Sequence, residues 1–357
     1  MIALAAKLRE MNCNILFGAG EKHLSFFRTE MPGCTYIPFP GFNPGYSRFL
    51  PQYLILLLKT PVLVYHIILE HYRLKKIIHD HSVDIVISDN RFGLWNRRIK
   101  TVYVTHQLLI PMPKLFAWLE FTGVIFHRMV ISRYSLCFIP DLPGELNVSG
   151  RLTHSVKLPR NARFIGILSR FTGLPSSVND NPVRLRHNTV ILSGPEPQRG
   201  ILEQKLTDLL KDKGHPAVIL GGNPGKPADM ILNGNIIYFN HLPGPAMKEV
   251  ITRSESIITR SGYTAIMELI SLNCSALLIP TPGQTEQEYL ARYLAEKGWF
   301  ATISQRKTDA GIPLPSTDPK WSSEITRQSK ILLENALEEM SDKNKKEAGS
   351  KGTKNKP

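Results

Sequence analysis

In SIITRSGYTAIMELISLNCSALLIPTPGQTEQEYLARYLAEKG, residues 256–298, an apolar run ends at Thr259, a polar turn Arg260-Ser261-Gly262 follows, and apolar periodicity begins near Tyr263 or Thr264. That order reads as strand, turn, helix. The pattern then repeats. Ala276 to Ile279 forms a second short apolar run closed by Pro280, and Thr285 with Glu288 makes a capping box that predicts a helix from Glu286. Gly298 after Lys297 stops that helix. Continuous apolar strands alternating with helices call for a parallel sheet covered on both faces.

The same alternation extends outward. Strands are predicted at Asn14 to Gly18, Asp84 to Ser88, Thr101 to Thr105, Thr189 to Ser193, Ala217 to Gly222, Ile236 to Phe239 and Ser256 to Thr259, with helices near Tyr65 to Asp80 and Gly200 to Asp212. Two such series predict two doubly wound domains. The polar, Pro- and Gly-rich segment SRFTGLPSSVNDNPVRLRHN, 169–188, is read as the linker between a first domain, 1–168, and a second, 189–318. An amphipathic helix is predicted within 319–341, and the tail 342–357, with six Lys against Asp342 and Glu347, is expected to be disordered.

Composition narrows the function classes. The 357 residues are 42% hydrophobic and 8% aromatic, which excludes a wholly disordered chain. Lys and Arg number 44 against 30 Asp and Glu, a net charge of +14. No nucleic-acid motif accompanies that excess, so an anionic membrane surface or a phosphorylated substrate is the expected counterpart. Four scattered cysteines, 13, 34, 137 and 274, have no C-x-x-C spacing, which argues against a zinc site or a disulfide framework and fits a reducing compartment. The most apolar stretch, Phe49 to Leu69, is broken by Pro51, Lys59, Pro61 and His66, and reads as a buried or surface-lying helix rather than a membrane span. Tyr53 to Leu69 and Leu115 to Ile131 lie near basic residues and could rest on a membrane, or be buried helices.

In open parallel sheets ligands bind beyond the carboxyl ends of the strands. Gly262 lets the backbone approach a ligand or take positive φ, and the amides of the helix that follows favour a phosphate. Glu268 could accept hydrogen bonds from a vicinal diol such as a ribose, and equally could be a surface glutamate. Gln284 and Gln287 suit sugar hydroxyls, while Glu286 and Gln287 equally read as helix capping and a solvated first turn. Ser193, Gly194 and Arg199 form a third strand-end loop that could meet a phosphate or be a rigid turn. His241 and Leu242 belong to a fourth, whose backbone could pair with a flat base. His106 and Asp89, just beyond strands of the first domain, are the candidate general bases.

These residues resemble the donor-binding signature of glycosyltransferase family 28: Arg260-Ser261-Gly262, Glu268 six residues past the glycine, Pro280, and Glu286-Gln287-Glu288-Tyr289. More faintly, Val104-Thr-His-Gln107 is similar to the family's acceptor-side segment. The resemblance implies an α/β chain of the GT-B class, two Rossmann-like doubly wound parallel-sheet domains facing a cleft, with a C-terminal helix returning to the first. It implies a hexosyltransferase that uses a nucleotide sugar, usually linked to uridine diphosphate, as substrate, with no metal and no further cofactor. Glu268 would hold the ribose, Ser261 and Gly262 the diphosphate, Gln287 the sugar, and the loop from His241 the base. Thr264 stands one position earlier than the family's usual threonine, where this chain has Ala265. The family's first strand and Gly-rich loop are expected to precede the helix read at Ile2 to Glu10. The acceptor is left open by the sequence; a lipid-linked one, with peripheral contact at the cytoplasmic face of the inner membrane, is one candidate. A non-catalytic binding partner of the same shape, or a sugar-nucleotide epimerase or hydrolase, stands as the alternative.

Overall fold

A computed structural model describes residues 1–342 except 43–44, 46–53, 56–57, 113–115, 175–186, 212–213 and 224–229. The predicted tail and most of the predicted linker therefore lie outside the described residues. The first half runs α1 (Ile2–Glu10), β1 (Leu16–Ala19), α2 (Glu21–Glu30), β2 (Thr35–Pro38), α3 (Thr60–Asp80), β3 (Ile85–Asp89), β4 (Lys100–Val104), α4 (Leu119–Ile131), β5 (Leu136–Ile139), α5 (Arg151–His154) and β6 (Ala162–Phe164). Its strands are parallel, but they form two sheets, β1-β2 and β3-β4-β5-β6, rather than one.

The second half runs β7 (His187–Ile191), α6 (Gln198–Leu210), β8 (Ala217–Leu220), β9 (Met230–Asn233), β10 (Ile236–Phe239), α7 (Gly244–Thr252), β11 (Ser254–Thr259), α8 (Tyr263–Ser271), β12 (Leu277–Leu278), α9 (Thr285–Glu296), β13 (Ala301–Thr302) and α10 (Glu324–Ser341). Its seven strands order as β13-β12-β11-β7-β8-β10-β9. All pairs are parallel except β9 with β10, which meet across the two-residue loop Gly234-Asn235. Gly234 sits at φ 60, as the first loop position of a tight hairpin requires. This hairpin departs from the purely parallel sheet expected.

Strand alternation explains the layers. Val102, Val104, Leu136 and Phe138 face one side of the first four-stranded sheet and pack with Leu4 and Leu8 of α1. On the opposite side Val86 packs with Leu74 of α3, and Tyr103, Cys137 and Ile139 pack with Val130 and Ile131 of α4. So α3 and α4 cover the same face, and their outer surfaces share one side of the molecule. α10 returns to the first sheet: Arg163 of β6 pairs with Glu339 at 2.8 Å, and Lys100 donates to the Met340 carbonyl at 2.9 Å.

The two halves meet closely. Leu142, Val148 and Leu152 join Tyr263, Leu290 and Leu294 in one buried cluster. Around it, the Tyr293 hydroxyl meets Asn147 at 2.7 Å and Lys297 donates to the Asn147 carbonyl at 2.9 Å. Gly150, at φ 53, lies under Tyr289, whose hydroxyl a Cβ there would strike. Ser169 and Phe171, expected in an exposed linker, are each only 2% exposed. Phe171 is large and apolar, so burying it wins over the polar character of its neighbours.

Candidate functional site

The strand ends of the second sheet gather most of the residues expected to bind a donor. β11 ends at Thr259 and α8 begins at Tyr263, with Gly262 as its N-cap in extended conformation, φ −72 and ψ 138. Positive φ is thus not what Gly262 supplies. Nothing lies within 4 Å of where its Cβ would stand, so the missing side chain leaves open space beside the first turn of α8. The leading amides of that turn have no intrahelical partners and carry the positive end of the helix dipole, which suits an anion.

The neighbouring loop is held by its own side chains. The Ser261 hydroxyl, fully buried, donates to the Gln287 carbonyl at 2.8 Å. The Gln287 carboxamide accepts from the Thr281 amide at 2.9 Å and donates to Gln284 Oε1 at 2.6 Å. α9 starts at Thr285 with Gln284 as N-cap, one residue before the predicted start, and the Gln284 side chain makes no cap bond. Glu288 instead accepts from the Gly283 amide at 3.0 Å, two residues before Thr285 and one before the N-cap, so the expected capping box does not form. Gly194, at φ 93, brings the Ser193 turn beside Thr281. Thr264 is exposed on the first turn of α8.

Two arginines face inward rather than toward a ligand. Arg260 is 0% exposed and donates to the carbonyls of Gln198 at 2.7 Å and of Ile279 and Pro280 at 3.2 Å. Burial pulls its pKa from 12.5 to about 10. It binds the start of α6 to the loop after β12, which is a structural task. Arg199 is committed to Glu203 at 2.8 Å, to Glu196, and to the Gly221 carbonyl at 3.1 Å.

Glu268 lies two turns into α8 with its side chain 13% exposed, and Arg170 Nε is 2.9 Å from its carboxylate. Burial raises the pKa of Glu268, with Arg170 opposing. Arg170 also lies 3.7 Å from Glu30 of α2 and over the ring of Phe26. His241 packs edge-on against Phe26, 3.8 Å from Glu30, and burial followed by Arg170 lowers its pKa. Leu242 is partly buried in the large core. Glu268 and His241 therefore share one charged cluster with α2, into which the sequence reading had placed neither Glu30 nor Arg170.

His106 reaches across from the first half. It follows β4, and its Nε2 lies 3.0 Å from Glu286 Oε1 of α9. Its ring stacks on Tyr263 with centroids 4.6 Å apart and planes 6° apart, and the Tyr263 hydroxyl donates to the Pro140 carbonyl at 2.8 Å. Burial works to lower the His106 pKa, but the Glu286 carboxylate together with Asp89 and Asp141 outweighs it and the net shift is upward. Glu286 moves down, its burial outweighed by His106. Asp89 ends β3, exposed, and adds its field to His106. Among the described residues no group of three or more His, Cys, Asp or Glu could hold a metal ion.

A solved structure described as the glycotransferase of kitacinnamycin superposes with TM-score 0.55 at 14% identity, over 96% of this chain and 87% of its own. The spinosyn rhamnosyltransferase SpnG complexed with thymidine diphosphate gives TM-score 0.55 at 12% identity, over 94% and 87%. The fold is GT-B. Residues 231–315 match the glycosyltransferase family 28 C-terminal domain. A Methanosarcina acetivorans protein described as an uncharacterized glycosyltransferase is 23% identical over 246 residues, 65% of this chain. That match spans 63% of the relative's length.

Proposed function

We propose that the chain is a glycosyltransferase that moves a hexosyl group from a nucleoside diphosphate sugar, with uridine the expected base, to an acceptor hydroxyl. The observation that carries this reading is the open space at Gly262 beside the α8 amides, flanked by the Gln287 loop and faced by His106. In the reaction the acceptor oxygen bonds to the anomeric carbon while that carbon's bond to the diphosphate breaks. The acceptor proton passes to His106, and the α8 amides stabilise the departing diphosphate. Glu268 pairs with the ribose diol once Arg170 releases it. The matched family domain and the diphosphate-bound neighbour support the donor class.

The acceptor is proposed to be lipid-linked and met at the cytoplasmic membrane surface. Among the described residues no helix is long and apolar enough to cross a membrane. Val62, Tyr65, Ile68 and Tyr72 stand exposed along α3, and Phe121, Ile125 and Met129 along α4 behind Trp118. Both stripes belong to helices that cover the same sheet face, and exposed Arg73, Lys75, Lys76, Arg128 and Arg133 flank them. Apolar side chains between basic ones match an anionic lipid interface, where each cation adds about 1 kcal/mol.

Calorimetry of the whole chain with uridine and thymidine diphosphates tests the donor. Saturable binding is expected, and no binding of either at millimolar concentration refutes the function.

A further inference from the structure

We propose that Glu286 of the second half is the positioning residue for His106 of the first, so that the base and its orienting carboxylate come from opposite sides of the cleft. This rests on His106 serving as the base in the proposed transfer. Glu286 looked like an ordinary first-turn acid, since acids are common at helix starts. In the folded chain its carboxylate instead meets His106 Nε2 at 3.0 Å. Both side chains are 30% exposed, so the pair sits at the rim of the contact rather than deep inside it.

The geometry fixes the imidazole in two directions. Tyr263 sets the plane of the ring and is itself anchored through Pro140. Glu286 sets the rotation within that plane. A carboxylate accepts hydrogen bonds and cannot donate them when ionised, so it holds the proton on Nε2. Nδ1 is then the lone-pair nitrogen that can take the acceptor proton, and among the described residues nothing is hydrogen-bonded to it. Once protonated, the ring is an imidazolium facing an anion, which favours the proton transfer.

Every charged group that faces the ring bears on this. Asp89 comes from the end of β3, Asp141 from the segment after β5, Glu286 from α9, and the neutral Tyr263 from α8. Asp141 is already committed: its carboxylate accepts the amides of Leu142, Val148 and Ser149. Asp89 is exposed and acts through solvent. Glu286 alone combines contact with charge. Because it rides on α9, separating the halves withdraws it and frees the ring.

The test is a titration of His106 by NMR on the whole chain without substrate, in wild type, Glu286→Gln and Glu286→Asp. Glutamine keeps an acceptor but loses the charge, and should lower the His106 pKa. Aspartate should keep part of the shift, which guards against a fold lost in the first variant. In transfer assays Glu286→Gln should lower kcat on the order of tenfold or more, with donor KM little changed. The acidic limb of its rate profile should move to lower pH, which a merely structural ion pair would not do. An unmoved His106 titration overturns the pairing, and so does a wild-type kcat with an unmoved limb. Failure of the wild-type chain to bind any nucleoside diphosphate overturns the function and leaves the titration to decide the pairing.

Discussion

Replacing Arg260 with methionine separates two roles that the sequence could not tell apart, a phosphate ligand and an internal tie. Burial lowers the Arg260 pKa from 12.5 to about 10, a cost of roughly 3 kcal/mol at 1.36 kcal/mol per unit. Against that stand three bonds from a charged donor to backbone carbonyls, each worth about 1.5–3 kcal/mol, or about 5–9 kcal/mol together. Methionine fills part of the space and avoids the desolvation cost but leaves three carbonyls without the donor. The expected loss is about 3 kcal/mol, seen as a lower urea midpoint at unchanged slope. Nucleotide affinity, measured by calorimetry where the variant is still folded, should change less than about fivefold, since ~1 kcal/mol of loop strain reaches the site. A variant that keeps wild-type stability yet loses nucleotide binding would refute the inward placement and return Arg260 to the ligand.

Glu268→Ala should weaken uridine nucleotide binding on the order of tenfold to a hundredfold, the diol bonds lost less the Arg170 pairing they replace, and an unchanged affinity by calorimetry removes Glu268 from the site. His127, 4% exposed, is held neutral by burial, with a pKa pulled from 6.5 to about 4. The unfolded chain takes up that proton first, so stability falls as pH drops from 6.5 toward 4, by up to about 3 kcal/mol. His127→Leu should flatten that limb of a urea-midpoint profile, and an identical slope would contradict the reasoning. Trp118→Ser with Phe121→Ser should cut co-sedimentation with vesicles containing phosphatidylserine while leaving nucleotide affinity intact, and equal co-sedimentation would sink the docking face.

Local signals carried most of the fold. The run ending at Thr259 and the turn at Gly262 were legible because apolar periodicity and a glycine break are properties of neighbouring residues. Gly298 closes α9 as expected, at φ 70. The β9-β10 hairpin interrupts the alternation of strands and helices that reads as a parallel sheet, although Asn233-Gly234-Asn235 is a strong turn signal. At the site, Gly262, Ser261 and Gln287 come together, and all three lie within two consecutive strand-turn-helix repeats. Arg170, Glu30 and the partner of His106 carried no local mark. Their pairings join residues far apart in sequence, and an acid at a helix start or an arginine beside a proline-rich stretch reads the same with or without a distant partner.

Gly150, tucked under the Tyr289 hydroxyl, bears on how the molecule can be taken apart. It lies where Leu142, Val148 and Leu152 share a hydrophobic cluster with Leu290 and Leu294. Heating should accordingly give one endotherm rather than two. Either half made alone would carry a bare greasy flank into solution, so dissecting this polypeptide by truncation would report clumping before it reported chemistry.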